Sequence, residues 1–215
     1  LYTSRHRSIA TMNYTGLLTE QARYYPKAYN TPPLTTEDID NYLNRHRFTL
    51  DELKVISPIT NETDSYVNIN QPWREAYDSD CMEHMWSNGY SFIIHSPYVS
   101  DGVKSIVKSI EQTNHVSCDA HVYMGKHNSQ SFPPHDDNSN NLIVQCVGET
   151  LWRVWTGGYD PSIDVVMSPG DAIYIPKGVL HQAQPLSDRM SVSFPFFPGP
   201  KTIQRDIRLD WLANS

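Results

Sequence analysis

The chain has 215 residues, 39% of them hydrophobic and 19% charged, with a formal net charge of −7. Such a length and composition belong to a folded domain with a sizeable core and exclude wholesale disorder. The negative balance argues against a broad phosphate-binding face, so no nucleic-acid partner is expected; it favours a basic peptide or protein segment instead.

The three cysteines, Cys81, Cys118 and Cys146, are widely spaced and form no CxxC pair. Neither a disulfide framework nor a thiolate zinc site is expected. No window approaches about 18 consecutive apolar residues, so no membrane span is expected. The opening stretch LYTSRHRSIATMNYTG lacks the apolar core of a secretory signal. The expected location is therefore cytoplasmic. The first residue is Leu1 rather than Met, so the true N-terminus is not read from it.

In chain order, TTEDIDNYLNRHR (35–47) places Thr at an N-cap, acids in the first turn and bases in the last, which predicts a helix. QPWREAYDSDCMEHMWSNG (71–89) predicts a second, with Pro72 at its start and Asn88-Gly89 as its stop. YSFIIH (90–95) reads as a strand. VSDGVKSIVKSIEQ (99–112) repeats apolar residues at Val99, Val103, Ile106, Val107 and Ile110, the buried face of a third helix.

From residue 116 the texture changes to short strands. VSCDAHVYM, NLIVQCVG, TLWRVW, IDVVMS, DAIYIP and RMSVSFPF are separated by the turn-rich GKHNSQSFPP, TGGYDP, SPGD and PKGVLHQAQPLSD. Strands this close together, with no helix between them, predict a sandwich or small barrel. The expected organisation is a single domain, 1–215. Its largely helical part, 1–115, packs on a β-barrel, 116–200, that carries the chemistry.

That chemistry centres on SFPPHDDNSNN (131–141). Side chains alternate along an extended segment, so His135 and Asp137 share a face and Asp136 points away. His135-x-Asp137 is then the chelating pair. His181, delivered by the strand AIYI and the bend Pro176-Lys177-Gly178, completes a 2-His-1-carboxylate set suited to Fe(II). His121 and His127 have no partner at comparable spacing and read as ordinary polar histidines.

Gly170, Pro176, Gly178 and His181 reproduce the G-x5-P-x-G-x2-H spacing of the second cupin motif. FPPHDDNSNNLIVQCVGETLWRVW resembles the matching segment of Jumonji-C-type cupin oxygenases, including bacterial ribosomal-protein arginine hydroxylases. The resemblance spans roughly residues 120–196. It implies a double-stranded β-helix (a cupin or jelly-roll barrel), mainly β with N-terminal helices, and an Fe(II)-dependent oxygenase using 2-oxoglutarate and O2. Its substrate would be a protein side chain or a small molecule.

The sequence also departs from that pattern. Two residues after the motif glycine, where many Jumonji-C proteins carry a basic residue for the distal carboxylate of 2-oxoglutarate, stands Thr150. Arg189-Met190-Ser191 resembles the R-x-S element of other 2-oxoglutarate oxygenases. Arg189 and Ser191 share a strand face, and a guanidinium suits a carboxylate bidentately. Asn141 is a further candidate cosubstrate contact, as is the Thr150 hydroxyl. Gln145, an amide on an apolar strand, must be hydrogen-bonded, either as support behind the ligands or as a structural anchor. The loss of the basic residue keeps a second enzyme class open, a cupin metalloenzyme without 2-oxoglutarate; a non-catalytic metal-binding module is the third. A homodimer is compatible with all three.

Overall fold

The computed structural model describes residues 12–45, 52–57, 63–64, 79–96, 98–127, 129 and 132–199. In chain order these form β1 (Arg23–Tyr25), α1 (Thr36–Arg45), β2 (Leu53–Ile56), β3 (Thr63–Asp64), α2 (Ser79–Ser87), β4 (Ser91–His95) and α3 (Asp101–Asn114). There follow β5 (Val116–Cys118), β6 (His121–Gly125), β7 (Asn140–Val147), β8 (Thr150–Trp155), β9 (Ile163–Met167), β10 (Ala172–Ile175), β11 (Leu180–Pro185) and β12 (Arg189–Pro198).

The larger sheet runs β1-β10-β7-β12-β6-β4-β2-β3, with β5 also pairing β12; the smaller runs β11-β8-β9. All these pairings are antiparallel. From β7 onward the chain passes back and forth between the two sheets, with β7, β10 and β12 in the larger and the β8–β9 pair and β11 in the smaller, which is the winding of a double-stranded β-helix.

Alternation gives each strand of the larger sheet two jobs. Leu142, Val144, Val192, Phe194 and Phe196 turn outward and join Val103, Ile106 and Ile110 of α3 in one apolar cluster. Ile143, Ile173 and Ile175 turn inward and meet Trp152, Val154 and Met167 of the smaller sheet. Helix α3 forms as expected. Ser100 caps it, its hydroxyl accepting from the Val103 N–H at 3.1 Å, and His115 closes it in the left-handed region at φ 54°.

The first part of the chain forms the strand read at YSFIIH as β4, and adds β1, β2 and β3, which the sequence reading did not give. β1 adds an edge to β10, while β2 and β4 continue the larger sheet beyond β6. The segment 180–185, read as part of a turn-rich connection, is the paired strand β11. Residues 71–78 of the expected second helix and 46–47 of the first lie outside the described residues.

β1 is fastened by the buried Asp171, which accepts from the Tyr24 hydroxyl at 2.9 Å and the Lys27 and Ser168 N–H groups at 2.8 and 2.9 Å. Burial, and then the facing Asp171 carboxylate, push the Tyr24 phenol up to about 12.

Candidate metal centre

The two halves of the site meet through backbone. His135 forms an isolated antiparallel bridge with His181 of β11. The His135 N–H donates to the His181 carbonyl at 3.1 Å, and the His181 N–H donates back at 2.8 Å. Gly178, at φ 75° in the bend before β11, donates its N–H to the Asp137 carbonyl at 2.9 Å. A positive φ at this point is the conformation glycine adopts without steric cost. The cupin-motif glycine thus clips one half of the site to the other.

The side chains converge accordingly. One ligand-type atom from each of His135, Asp137 and His181 lies within 4.8 Å of the others. His181 Nε2 is 3.6 Å from Asp137 Oδ2, and His135 Nε2 is 4.0 Å from Asp137 Oδ1. Each imidazole places Nδ1 2.9 Å from the carbonyl oxygen two residues before it, Pro133 for His135 and Val179 for His181. A carbonyl only accepts, so both Nδ1 atoms carry the proton and both Nε2 lone pairs face the shared space. Burial holds the His181 imidazole below its usual range, partly offset by the Val179 carbonyl, which keeps it in the neutral form a metal requires. Asp136 is exposed and outside the cluster.

Asn141, at the start of β7, donates its amide to Asp137 Oδ2 at 2.8 Å and is buried. Its Oδ1 lies 3.3 Å from the Ser193 hydroxyl and 3.4 Å from that of Ser139. Its contacts among the described residues therefore orient the Asp137 carboxylate. Gln145 is fully buried, but its amide donates to the Val147 and Gly148 carbonyls at 2.8 and 3.2 Å, so it braces the β7–β8 turn.

Two cavities meet at Tyr123, Phe132 and Asp137, and of the two the narrower is also lined by His135 and His181. The narrower, about 50 Å³, runs into the barrel past Trp152 to Arg189 and Ser191. The Arg189 guanidinium donates to the Ser191 hydroxyl at 2.9 Å and sits 6.0 Å from the centre of the Tyr123 ring. Burial lowers its pKa to about 10, so it remains a cation at neutral pH. Tyr123 is raised to about 12 by burial first and by Asp137 second. Thr150 is buried, its hydroxyl has no hydrogen-bond partner among the described residues, and it does not line either cavity.

The wider cavity, about 300 Å³, shares Asp137 and lies against β2, β4 and β6. Lys54, His95 and His121 form its polar wall, and the two imidazoles stack with centroids 4.1 Å apart. The sequence reading passed over this wall. Strand parity placing His121 beside Tyr123 on one face of β6 was the signal available. His127, by contrast, bonds the Leu186 carbonyl away from the site.

The family model for the JmjC domain matches residues 93–202, more than half of the chain. The bifunctional lysine-specific demethylase and histidyl-hydroxylase NO66 of Drosophila erecta is 31% identical over 101 residues, covering 38% of this chain and 15% of that protein. Its counterpart from Drosophila willistoni is 30% identical over 101 residues, covering 38% and 13%. The chain thus spans a small part of the length of these curated relatives. Among solved structures, the ribosomal oxygenase YcfD of Escherichia coli with cobalt and succinic acid superposes at a TM-score of 0.62, with 19% identity over 85% of this chain and 49% of that one. YcfD with cobalt and 2-oxoglutarate gives 0.62 at 16% identity, over 85% and 49%. These likenesses concern the fold, and the matched domain places this protein in a family: the chain belongs to the JmjC domain family.

Proposed function

We propose that this protein is an Fe(II)- and 2-oxoglutarate-dependent oxygenase that hydroxylates a protein side chain or a small molecule. The observation that carries the reading is that one narrow cavity joins the His135, Asp137 and His181 cluster to the buried Arg189–Ser191 pair. Two neutral imidazoles and one carboxylate make a donor set that fits Fe(II) and leaves positions open for small molecules. The guanidinium at the far end of the cavity fits the distal carboxylate of 2-oxoglutarate, with the Ser191 hydroxyl beside it. Arg189 on β12 would then replace the basic residue absent at Thr150.

The names of the relatives agree in kind. They describe a histidyl-hydroxylase, and a ribosomal oxygenase crystallised with cobalt and 2-oxoglutarate.

His135, Asp137 and His181 would hold the metal, with Asn141 fixing the carboxylate and the Pro133 and Val179 carbonyls fixing the two rings. When bound, Fe(II) with 2-oxoglutarate and O2 supplies the oxidising power to hydroxylate a C–H bond, leaving succinate and CO2. The chain's own task is placement. Arg189 and Ser191 orient the cosubstrate, while Trp152 and Ile143 exclude water from the narrow cavity. The wider cavity, which also reaches Asp137, receives the substrate.

Purified protein supplied with Fe(II), ascorbate and 2-oxoglutarate is expected to release succinate by slow uncoupled turnover. It is also expected to gain thermal stability with N-oxalylglycine in the metal-loaded state. A metal-loaded protein that binds neither 2-oxoglutarate nor N-oxalylglycine would support a cupin metalloenzyme of another chemistry instead.

A further inference from the structure

We infer that the wider cavity selects a substrate bearing a carboxylate, held by Lys54 with the His95 and His121 imidazoles beside it. The inference rests on the reading of the site as an oxygenase and narrows its substrate class.

The cavity wall is assembled from three neighbouring strands. Lys54 on β2 pairs with Ile93 of β4, and His95 of β4 pairs with His121 of β6. Alternation turns Lys54, Ile56, Ile93, His95 and His121 to the same side of the sheet, while Leu53, Val55, Phe92 and Ile94 are buried in the apolar cluster behind.

Among the described residues of these three strands that line the cavity, Lys54 carries the charge, and it is positive. Lys54 is half-buried and forms no ion pair among the described residues. The carboxylate that lines the cavity, Asp137, is committed to the metal cluster and to the Asn141 amide. Asp119 lies near enough to influence both imidazoles, but it does not line the cavity, and one of its oxygens accepts from the Ala120 N–H at 2.8 Å.

A guanidinium or ammonium entering here would face Lys54 and lose water without gaining a carboxylate partner. A carboxylate would gain an ammonium, with the Ser139 hydroxyl and imidazole N–H groups as further donors. The cavity thus opposes the basic segment that the overall negative charge of the chain favours. The charge lining the pocket, within reach of the ligand, outweighs surface charge screened over a Debye length of about 8 Å.

The test uses the full chain loaded with Mn(II) and saturated with N-oxalylglycine, which fills the narrow cavity. Blocked aspartate and glutamate peptides, their asparagine and glutamine counterparts, a blocked lysine peptide and free aspartate and glutamate are titrated in turn. Affinity is followed together with Mn(II)-induced broadening of the probe's proton signals. The acidic probes are expected to bind on the order of tenfold more tightly than their amides and to broaden. Lys54→Gln is expected to abolish that preference while leaving N-oxalylglycine binding unchanged, which also reports that the variant is folded. Preference for the peptides indicates a protein substrate, and preference for the free acids a metabolite; either supports the inference. Equal binding of acidic and neutral probes, tighter binding of the lysine peptide, or an undiminished acidic preference in Lys54→Gln overturns it. So does a loss of N-oxalylglycine affinity in Lys54→Gln, which would assign Lys54 to the cosubstrate. If the wild-type protein fails to bind N-oxalylglycine at all, the oxygenase reading falls, and this inference with it.

Discussion

His135 and His181 face each other as a hydrogen-bonded antiparallel pair, exchanging backbone bonds of 3.1 and 2.8 Å. Each also anchors its Nδ1 at 2.9 Å on the carbonyl two residues earlier. The spacing of the two imidazoles is therefore set by backbone, before any metal arrives. The same geometry fixes their tautomer, so little reorganisation opposes binding.

The carboxylate is the element that must be tested by substitution. Asp137→Ala is expected to weaken Mn(II) or Co(II) binding by more than about 100-fold, because it removes a charged ligand from a three-ligand set. Asp136→Ala, at an exposed position outside the cluster, is expected to change it less than about twofold. Calorimetric titration of both variants decides between them, and the reverse result would overturn the assignment of the ligand face.

Asn141 holds Asp137 through a 2.8 Å bond and is itself buried. Loss of such an orienting partner typically lowers metal affinity about 10–100-fold, and Asn141→Ala is expected to fall in that range. Cosubstrate affinity, measured at saturating metal, is expected to change far less. The opposite pattern would make Asn141 a direct cosubstrate contact.

Arg189 is expected to show the complementary profile. Arg189→Ala removes the guanidinium at the end of the narrow cavity, and loss of one partner from a buried charged pair costs about 2–5 kcal/mol. N-oxalylglycine affinity should therefore fall by well over tenfold while Mn(II) affinity stays near the wild-type value. Arg189→Lys, which keeps the charge without the planar fork, should recover part of the loss.

The sequence exposed the convergence of His135, Asp137 and His181 because each of its parts is local. His135-x-Asp137 follows from strand alternation, and the glycine–proline–glycine spacing before His181 encodes a bend that the fold uses. β11 escaped notice because LHQAQP carries His181 and two glutamines where strand patterns place β-branched residues. The wider cavity was hidden for a different reason. Lys54, His95 and His121 are distant in sequence and meet only through the β2–β4–β6 pairing. Gln145 illustrates a third limit: burial required a partner for its amide, but only the register of the β7–β8 turn determined which one.

The stacked His95–His121 pair gives stability a definite pH dependence. Burial first, then His121 and Lys54, lower the His95 pKa to about 4, against an ordinary value of 6.5. Above pH 6.5 neither folded nor unfolded His95 is protonated, and its contribution is fully present. Between 6.5 and 4 the unfolded chain takes up a proton that the folded chain refuses, so stability falls as pH is lowered through that window. His95→Gln is expected to flatten this part of a stability–pH profile measured by urea unfolding. An unchanged slope would mean that the imidazole titrates normally in the folded protein.

Asp171 ties β1 to the barrel through three donors, the Tyr24 hydroxyl and the Lys27 and Ser168 N–H groups. Hydrogen bonds to a charged acceptor contribute about 1.5–3 kcal/mol each, and water replaces some of them when the acceptor is removed, so Asp171→Ala should cost about 3 kcal/mol or more. A lowered urea midpoint with an unchanged m-value would register the loss. A spectroscopic readout separates this tie from general packing. Asp171 contributes to holding the Tyr24 phenol at about 12, second to burial, so Asp171→Asn should move the Tyr24 titration toward its ordinary value of 10 even in folded protein. A variant that loses stability while the Tyr24 titration stays in place would show that β1 is held by its pairing with β10 and not by this carboxylate.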